Sequence, residues 1–220
     1  MSNYLIFLKF LFTSNTLLRI HQIYKCLGIS LRGLTLEFGA INNKKKNFSN
    51  FFKGKSKYDY TNLFTNKKLS IFYSDLTKKL KIPNYKYNNI LIFNVLEHLP
   101  EYKLAFSESY RILKKGGYLI GSVPFLYQVH SAPNDYFRYT RDFLRMNLKN
   151  NKFKDIKIIP LGYGPFIASY CMIHSYIKFL PFFSQIILLI AYILDSFLQI
   201  FVKSKLNEIY PIGYFFIGKK

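Results

Sequence analysis

The chain has 220 residues, half of them apolar, and a formal net charge of +21 from 32 Lys and Arg against 11 Asp and Glu. This length and composition predict one ordinary domain with a substantial core and exclude a disordered chain. Lys, Asn, Ile, Phe and Tyr are abundant together, as an AT-rich genome produces, and the sequence shows neither aromatic–basic interleaving nor a helix-turn-helix pattern. Nucleic acid is therefore not the expected partner, whereas an anionic membrane surface is compatible with the charge.

The first third of the chain predicts a helical lead-in and several short elements. Apolar spacing predicts helices within residues 1–33, broken near Ser14–Thr16 and ended by Gly28. The opening MSNYLIFLKFLF has no basic leading segment and no small-residue cleavage site, so it is not expected to be a secretory signal. A strand, a helix and two more strands are then predicted at 34–39, 46–52, 57–64 and 69–76.

Residues 87–124 predict a strand, a loop, a helix and a second strand. The apolar run Ile90–Phe93 is followed by Asn94, at the position where open α/β sheets bind their ligands. The helix is predicted to end at Gly116-Gly117, because glycine adopts a left-handed cap without strain. The remaining elements are a helix capped by Thr140 and two strands, at 140–151, 153–162 and 209–220. This alternation predicts an α/β fold with a mostly parallel sheet.

An apolar region, 163–205, interrupts this alternation. Residues 179–202 are long enough to span a bilayer, but Asp195 would be costly inside hydrocarbon. A single crossing would also separate two strands that are expected to share one sheet. A helical hairpin that turns near Pro181 and lies in the membrane interface resolves both objections. The alternatives are a soluble dimer interface or lid, and a true membrane span.

Two cysteines, Cys26 and Cys171, lie far apart in the sequence without the spacing of metal ligands. We expect two buried, reduced thiols, which agrees with a cytoplasmic location.

The motifs VLEHL and RILKKGG, followed by a strand that ends in VP, resemble those of the class I S-adenosylmethionine-dependent methyltransferases. The continuation PFLYQVHSAPNDYFRYT resembles a branch associated with surface-polysaccharide and lipid-glycan biosynthesis. The resemblance implies a Rossmann-like, mostly parallel seven-stranded sheet with an antiparallel last strand, and an apolar hairpin inserted before that strand. It divides the single domain into a lead-in, a core, an insertion and a final strand, at 1–33, 34–162, 163–205 and 206–220.

The resemblance also implies a binding site for the cofactor S-adenosylmethionine. Its glycine-rich motif is degenerate here, because Ile41 stands where glycine is usual. The position that usually carries an acid for the ribose hydroxyls matches Asn62, with Asp59 as the other candidate. Asp75 matches the residue near the adenine, and the alternative is a helix cap. The full set of cofactor-binding candidates is Glu37, Gly39, Ala40, Asn62, Asp75, Leu76 and Asn94.

The acceptor side is expected to involve two histidines that follow neighbouring strands. A hydroxyl acceptor needs a base, and imidazole is suited to that role near neutral pH. His130 is therefore predicted to be catalytic or to organise its loop, and His98 to be catalytic or to pack and cap its motif. Arg138 either pairs with Asp135 or, with Tyr136, lines the acceptor pocket. The substrate-binding candidates are His130, Asp135, Tyr136, Arg138 and Tyr139.

The sequence thus predicts methyl transfer to a small-molecule, glycan or lipid-linked acceptor at the inner face of the cytoplasmic membrane, by a protein that could form a homodimer. His21 and His174 are expected to be structural. Two other hypotheses stay open: an inactive methyltransferase-fold scaffold, which Ile41 and Asn62 favour, and a membrane protein without such a ligand. No metal is predicted.

Overall fold

A computed structural model describes residues 15–131 and 134–220. The first predicted helix, within residues 1–14, lies outside this part of the chain. The helices are α1 Leu17–Leu27, α2 Tyr102–Ile112, α3 Arg141–Asn150, α4 Pro165–Ile177, α5 Pro181–Phe201 and α6 Leu206–Ile209. The strands are β1 Gly33–Phe38, β2 Ser56–Asn62, β3 Ile71–Tyr73, β4 Tyr87–Phe93, β5 Leu113–Pro124, β6 Lys154–Leu161 and β7 Gly213–Lys219.

The seven strands form one sheet in the order β3-β2-β1-β4-β5-β7-β6. Strands β1 to β5 pair in parallel, with Glu37 opposite Leu91 in the central pair β1–β4. Strand β7 runs antiparallel to β5, because the amide of Gly116 donates to the carbonyl of Lys220 while that of Phe125 donates to Ile212. This is the Rossmann-like mixed sheet that the sequence predicts, and the fold class is confirmed.

The described residues divide into two compact units. One comprises residues 25–123, 130–159 and 215–220 and contains most of the sheet. Its central strand β4 is apolar on both faces, and Ile90 to Ile92 are almost fully buried, as expected for a strand covered on both sides. Cys26 is a buried free thiol there.

The second unit comprises residues 15–24, 124–129 and 160–214 and contains α4 and α5. These two helices form a hairpin with a turn just before Pro181, as predicted. Asp195 on α5 is fully buried and accepts hydrogen bonds from the amides of Phe166 and Ile167, at 3.0 and 2.9 Å. The aspartate that interrupts the apolar sequence therefore caps the N-terminus of α4.

Among the described helices, α5 is long and apolar enough to cross a membrane by length and composition alone, with a mean hydropathy of 1.8 over its best window. This property is weak support for membrane contact, since core helices of soluble proteins share it. Most of that window is not buried within the chain.

Four predicted element boundaries are wrong. The strand expected at 69–76 occupies only Ile71–Tyr73. The helix expected at 46–52 is a pair of 3₁₀ turns, Lys44–Lys46 and Phe48–Phe51. Helix α2 ends at Ile112, before Gly116-Gly117, because the buried Leu113 already pairs with Tyr87 in the sheet. Gly116 still adopts a left-handed conformation, with φ +75°, but inside β5. The final strand occupies only Gly213–Lys219, and the short helix α6 precedes it.

Candidate functional site

The loop after β1 is shaped by Gly39. This residue has φ +71°, a left-handed conformation that glycine adopts without strain. A Cβ atom at this position would lie 2.5 Å from Cγ2 of Val95, so only glycine lets the backbone pass this side chain. The missing Cβ fits a site in which a cofactor approaches the main chain closely.

Glu37, at the end of β1, is 3% exposed, and both carboxylate oxygens are engaged. They accept hydrogen bonds from the amides of Phe48 and Ser49, at 2.7 and 3.0 Å. Its carboxylate therefore holds the 3₁₀ turn Phe48–Phe51 against the loop. Glu37, predicted to bind the cofactor, is thus placed to shape the loop through these backbone contacts.

The remainder of this loop is closed by amide side chains. The amide of Ile41 donates to Oδ1 of Asn47 at 2.9 Å, and the Ile41 side chain is exposed. Asn62, at the end of β2, donates from Nδ2 to the carbonyl of the buried Ala40 at 2.8 Å. Its Oδ1 accepts from the amide of Leu63 at 2.6 Å. Asn62 thus lies beside the loop, as expected, and its amide group stabilises it.

Asp59, the alternative ribose candidate, lies inside β2 and not at its end. It accepts a hydrogen bond from the Tyr87 hydroxyl at 2.9 Å and pairs with Lys86 at 3.5 Å. Asn62 is therefore the better placed of the two residues.

Asp75 follows β3 and caps the turn that comes directly after it, as one alternative predicted, although this turn does not continue into a helix. Its Oδ1 accepts from both the amide and the hydroxyl of Thr77, at 2.9 and 2.6 Å, and Oδ2 lies 3.4 Å from Lys78. Burial opposes ionisation, but these bonds outweigh it and lower the pKa of Asp75. Leu76 beside it is buried.

Asn94 directly follows β4 and has φ +51°. Its amide donates to the carbonyl of Ser122 on β5 at 2.9 Å. This bond fixes a left-handed turn at the carboxyl end of the central strand, next to Val95, which packs over Gly39. Asn94 and Gly39 therefore lie on the same side of the sheet, at its switch point.

The acceptor loop is organised by Asp135. Its carboxylate accepts from both terminal nitrogens of Arg138 and from the amide of His130, the latter at 2.9 Å. The Arg138 bonds lower the pKa of Asp135 to about 2, against the opposing effect of burial. The Asp135–Arg138 pair foreseen as one alternative is thus formed, and both groups are engaged within the loop.

The two tyrosines of this loop have different surroundings. Tyr139 is almost fully buried, and its hydroxyl donates to the carbonyl of Leu96 at 2.9 Å, which gives it a packing role. Tyr136 is 47% exposed, and its hydroxyl accepts from the side chain of Asn134 at 3.0 Å. Tyr136 is therefore the tyrosine open to an acceptor.

His98 and His130 meet above the ends of β4 and β5, as the parallel order of these strands predicts. Their rings are edge to face, with centroids 5.1 Å apart. Nδ1 of His98 lies 2.6 Å from the carbonyl of Asn134, and Nδ1 of His130 lies 3.4 Å from Asp135. By contrast, His21 is buried in α1, and His174 packs against Tyr170 on α4.

Glu97 is a member of this cluster that the sequence analysis did not single out. Its side chain is fully buried, with Oε1 3.8 Å from Nε2 of His98. Neither carboxylate oxygen has a hydrogen-bond partner among the described residues. Burial raises the pKa of Glu97 to about 8, and its own backbone amide and the charge of Arg138 offset this only in part. The sequence could have indicated Glu97, because it is an acid next to His98 in the otherwise apolar segment VLEHL.

Comparison with known proteins agrees with this geometry. Residues 25–121 match a methyltransferase domain. A search of curated proteins finds no match. A SAM-dependent methyltransferase from Thermotoga maritima superposes with a TM-score of 0.58 and 12% identity, over 92% of this chain and 89% of that chain.

Two further solved structures extend the likeness. Phosphoethanolamine N-methyltransferase 2 of Haemonchus contortus, in complex with S-adenosyl-L-methionine, gives a TM-score of 0.59 and 16% identity over 100% of this chain and 57% of its own. A SAM dependent methyltransferase from Archaeoglobus fulgidus gives 0.55 and 15% over the full length of both chains. At these identities the likeness concerns the fold. The domain match and these structures support a class I methyltransferase fold.

Proposed function

We propose that this protein transfers a methyl group from S-adenosylmethionine to a glycan or lipid-linked acceptor at a membrane surface. The single observation that carries the proposal is that Gly39 and Asn94, both in left-handed conformations, lie at the same edge of a methyltransferase sheet as a cluster of polar side chains. Ligands of open α/β sheets bind at this edge, where the strand order reverses.

On the cofactor side, the loop after β1 holds the methionine portion, and Asn62 and Asp75 lie where the ribose and the adenine are expected. When bound, the cofactor supplies a sulfonium-activated methyl group, so the protein mainly aligns the acceptor and excludes water. The buried Leu76 supplies apolar surface beside the ring site.

On the acceptor side, His98 and His130 are the groups that we propose activate the nucleophilic atom. The side chain of His130 is 34% exposed and Asp135 orients its ring, whereas that of His98 is 11% exposed and faces Glu97. Tyr136 and the Asp135–Arg138 pair line the approach to these rings.

The preference for a lipid-linked acceptor at a membrane rests on the outer face of the α4–α5 hairpin. Several apolar side chains on this hairpin are 51% to 76% exposed, which is unusual for a soluble monomeric protein. They include Phe179, Phe182, Ile190, Ile193, Phe197, Ile200 and Phe201. A net charge of +21 favours contact with anionic headgroups over burial against a second copy of the same basic chain.

Calorimetric titration with S-adenosylmethionine and with S-adenosylhomocysteine tests the cofactor claim. We expect saturable binding of one equivalent of each; no heat at millimolar ligand removes the enzyme proposal. Gly39→Ala should weaken binding, whereas Gly116→Ala, a left-handed glycine inside β5, should not.

Vesicle sedimentation tests the membrane claim separately. We expect the protein to bind phosphatidylglycerol-containing vesicles and to release them in high salt. Changing both Phe182 and Ile200 to serine should abolish binding, whereas Ile209→Ser, at an apolar and half-exposed position on α6 outside the hairpin, should not. Retention after high-salt and carbonate washes would instead indicate a spanning helix, and a dimer without vesicle binding would indicate a protein interface.

A second candidate function is an inactive methyltransferase-fold scaffold. The observation that favours it is that both polar groups of Asn62 are bonded within the loop, to Ala40 and Leu63, rather than open to a ribose. The variant Ile41→Gly discriminates the two functions. Cofactor binding that appears only in this variant supports the scaffold, and binding by the unmodified chain supports the enzyme.

A further inference from the structure

Three potential metal ligands converge at the carboxyl ends of β4 and β5. They are the carboxylate of Glu97 and the imidazoles of His98 and His130, and one ligand atom from each lies within 4.8 Å of the others. Glu97 and His98 belong to the 3₁₀ turn Leu96–His98, whereas His130 comes from the loop after β5. The side chains of His98 and His130, which are 32 positions apart in the sequence, therefore converge on one point.

The histidine His98 is oriented in the way that metal-bound histidines are. A backbone carbonyl can only accept, so Nδ1 of His98 donates its proton to the carbonyl of Asn134, at 2.6 Å. In the neutral imidazole this leaves the lone pair on Nε2, which is the nitrogen that faces Glu97 at 3.8 Å. Metal-ligating histidines commonly donate their other N–H to a carbonyl or carboxylate in this manner.

His130 has the equivalent support from a carboxylate. Its Nδ1 lies 3.4 Å from Oδ2 of Asp135, and its own amide donates to the same oxygen. Arg138 fixes that carboxylate from the other side. Both imidazoles are thus held by groups outside the cluster, and their orientation does not depend on Glu97.

The burial of Glu97 is the feature of this cluster that needs an explanation. Its side chain has no exposed surface, and neither of its oxygens has a hydrogen-bond partner among the described residues. A buried carboxyl group without a hydrogen-bond partner is costly even when it is neutral, and its ionised form is stable there only if it is paired or coordinates a metal. We propose that Glu97, His98 and His130 bind one divalent transition-metal ion.

The ligand set indicates the class of metal. Two imidazoles and one carboxylate suit zinc, manganese, iron, cobalt or nickel, whereas calcium and magnesium prefer oxygen alone. Ligands about 2.1 Å from a tetrahedral ion lie about 3.4 Å apart, so ligand atoms that are within 4.8 Å of one another close by up to about 1.4 Å on binding. The loop that carries His130 allows this movement, because the side chain of His130 is the most exposed of the three.

Three protein ligands leave at least one coordination position open, as in catalytic and not structural sites. Only this consequence rests on the proposed function: the open position faces the acceptor side, where a metal-bound hydroxyl would ionise more readily than a free one. The binding site itself does not depend on any reaction.

Metal binding is tested with untagged protein stripped by chelator and dialysed. We expect one equivalent of Co²⁺ to give a visible d–d absorption band, and calorimetry with Zn²⁺ to give the same stoichiometry. No binding, or binding of several equivalents without a visible band, would overturn the proposal.

Substitutions locate the ion. Glu97→Gln, His98→Gln and His130→Gln should each weaken Zn²⁺ binding by at least tenfold to a hundredfold, since loss of even a supporting group has that effect. His174→Gln is the matched control, an imidazole of the second unit, and should bind Zn²⁺ as the unmodified chain does. His130→Gln alters a partly exposed loop residue, so it keeps the test valid if the buried variants do not fold. Unchanged affinity in folded His130→Gln and His98→Gln would refute the assignment, whether or not S-adenosylmethionine binds.

Discussion

Replacing Gly39 with alanine tests whether backbone packing shapes the cofactor loop. At Gly39, φ is +71°, and an added Cβ atom would lie 2.5 Å from Cγ2 of Val95. The substitution therefore combines a strained backbone with a steric overlap. Gly116 is the matched control, because its φ is +75° and no described atom lies within 4 Å of its Cβ position.

The two costs have separable magnitudes. A left-handed backbone costs an alanine about 1–2 kcal/mol, and an extra methyl group in packed surroundings costs about 1–3 kcal/mol. We expect Gly116→Ala to lower the free energy of unfolding by about 1.5 kcal/mol and Gly39→Ala to lower it by about 3.5 kcal/mol. In a Val95→Ala background, which removes the overlapping methyl group, Gly39→Ala should cost only about 1.5 kcal/mol.

Urea unfolding followed by circular dichroism measures these free energies, and the four variants around Gly39 and Val95 form a double-mutant cycle. The reasoning is refuted if Gly39→Ala costs no more than Gly116→Ala, or if Val95→Ala gives no relief. A calorimetric titration on the same samples then shows whether the distorted loop also loses affinity for S-adenosylmethionine.

Three further substitutions test other contacts. Glu108→Gln should cost about 3 kcal/mol by urea unfolding, because Glu108 is buried and bidentate with Arg111. Arg111 holds the pKa of Glu108 below its usual value. The stability from this pair is therefore present above the unfolded pKa of about 4.3 and is lost as the pH falls below it. If the loss of stability in acid is the same in Glu108→Gln as in the unmodified chain, this reasoning is contradicted. Asp195→Ala should lower stability by about 2 kcal/mol and Asp195→Asn by less, since asparagine keeps one acceptor for the α4 amides; equal losses would exclude the capping role. Asn62→Asp should cost about 1–2 kcal/mol by the same assay, because a carboxylate cannot donate to the Ala40 carbonyl, and a gain in stability would show that the loop is held otherwise.

Apolar patterning predicted the central strand well because it is buried on both faces. The run Ile90–Phe93 lies in this strand, and the Thr140 cap also forms, accepting from the amide of Phe143 at 3.3 Å. The pattern failed at 46–52, where the carboxylate of Glu37 accepts from two backbone amides and holds 3₁₀ geometry. A contact between residues eleven and twelve positions apart decides that element, and local spacing carries no information about it.

The candidate cofactor loop shows how a departure from a family pattern can be compensated. An asparagine in place of the usual acid loses charge toward a ribose, but its Nδ2 donates to the Ala40 carbonyl and closes the loop. Asn47 also holds the loop, in this case by accepting a hydrogen bond from the amide of Ile41 through its Oδ1. Sequence comparison finds the departures at positions 41 and 62, whereas only the structure shows that side-chain amides tie both to the loop.

Strand topology predicts only part of the Glu97–His98–His130 cluster, and the geometry of the loops accounts for the rest. Parallel β4 and β5 place the residues after them at one edge of the sheet, so the meeting of His98 and His130 follows from the strand order. Glu97 lies in the 3₁₀ turn Leu96–His98, and strand order alone does not predict its burial. Its carbonyl accepts the amides of Tyr136 and Phe137, at 2.8 and 3.3 Å, and these bonds bring the acceptor loop over the turn. Because that loop covers Glu97, the carboxylate is enclosed with two imidazoles, which is the arrangement from which we infer a metal site.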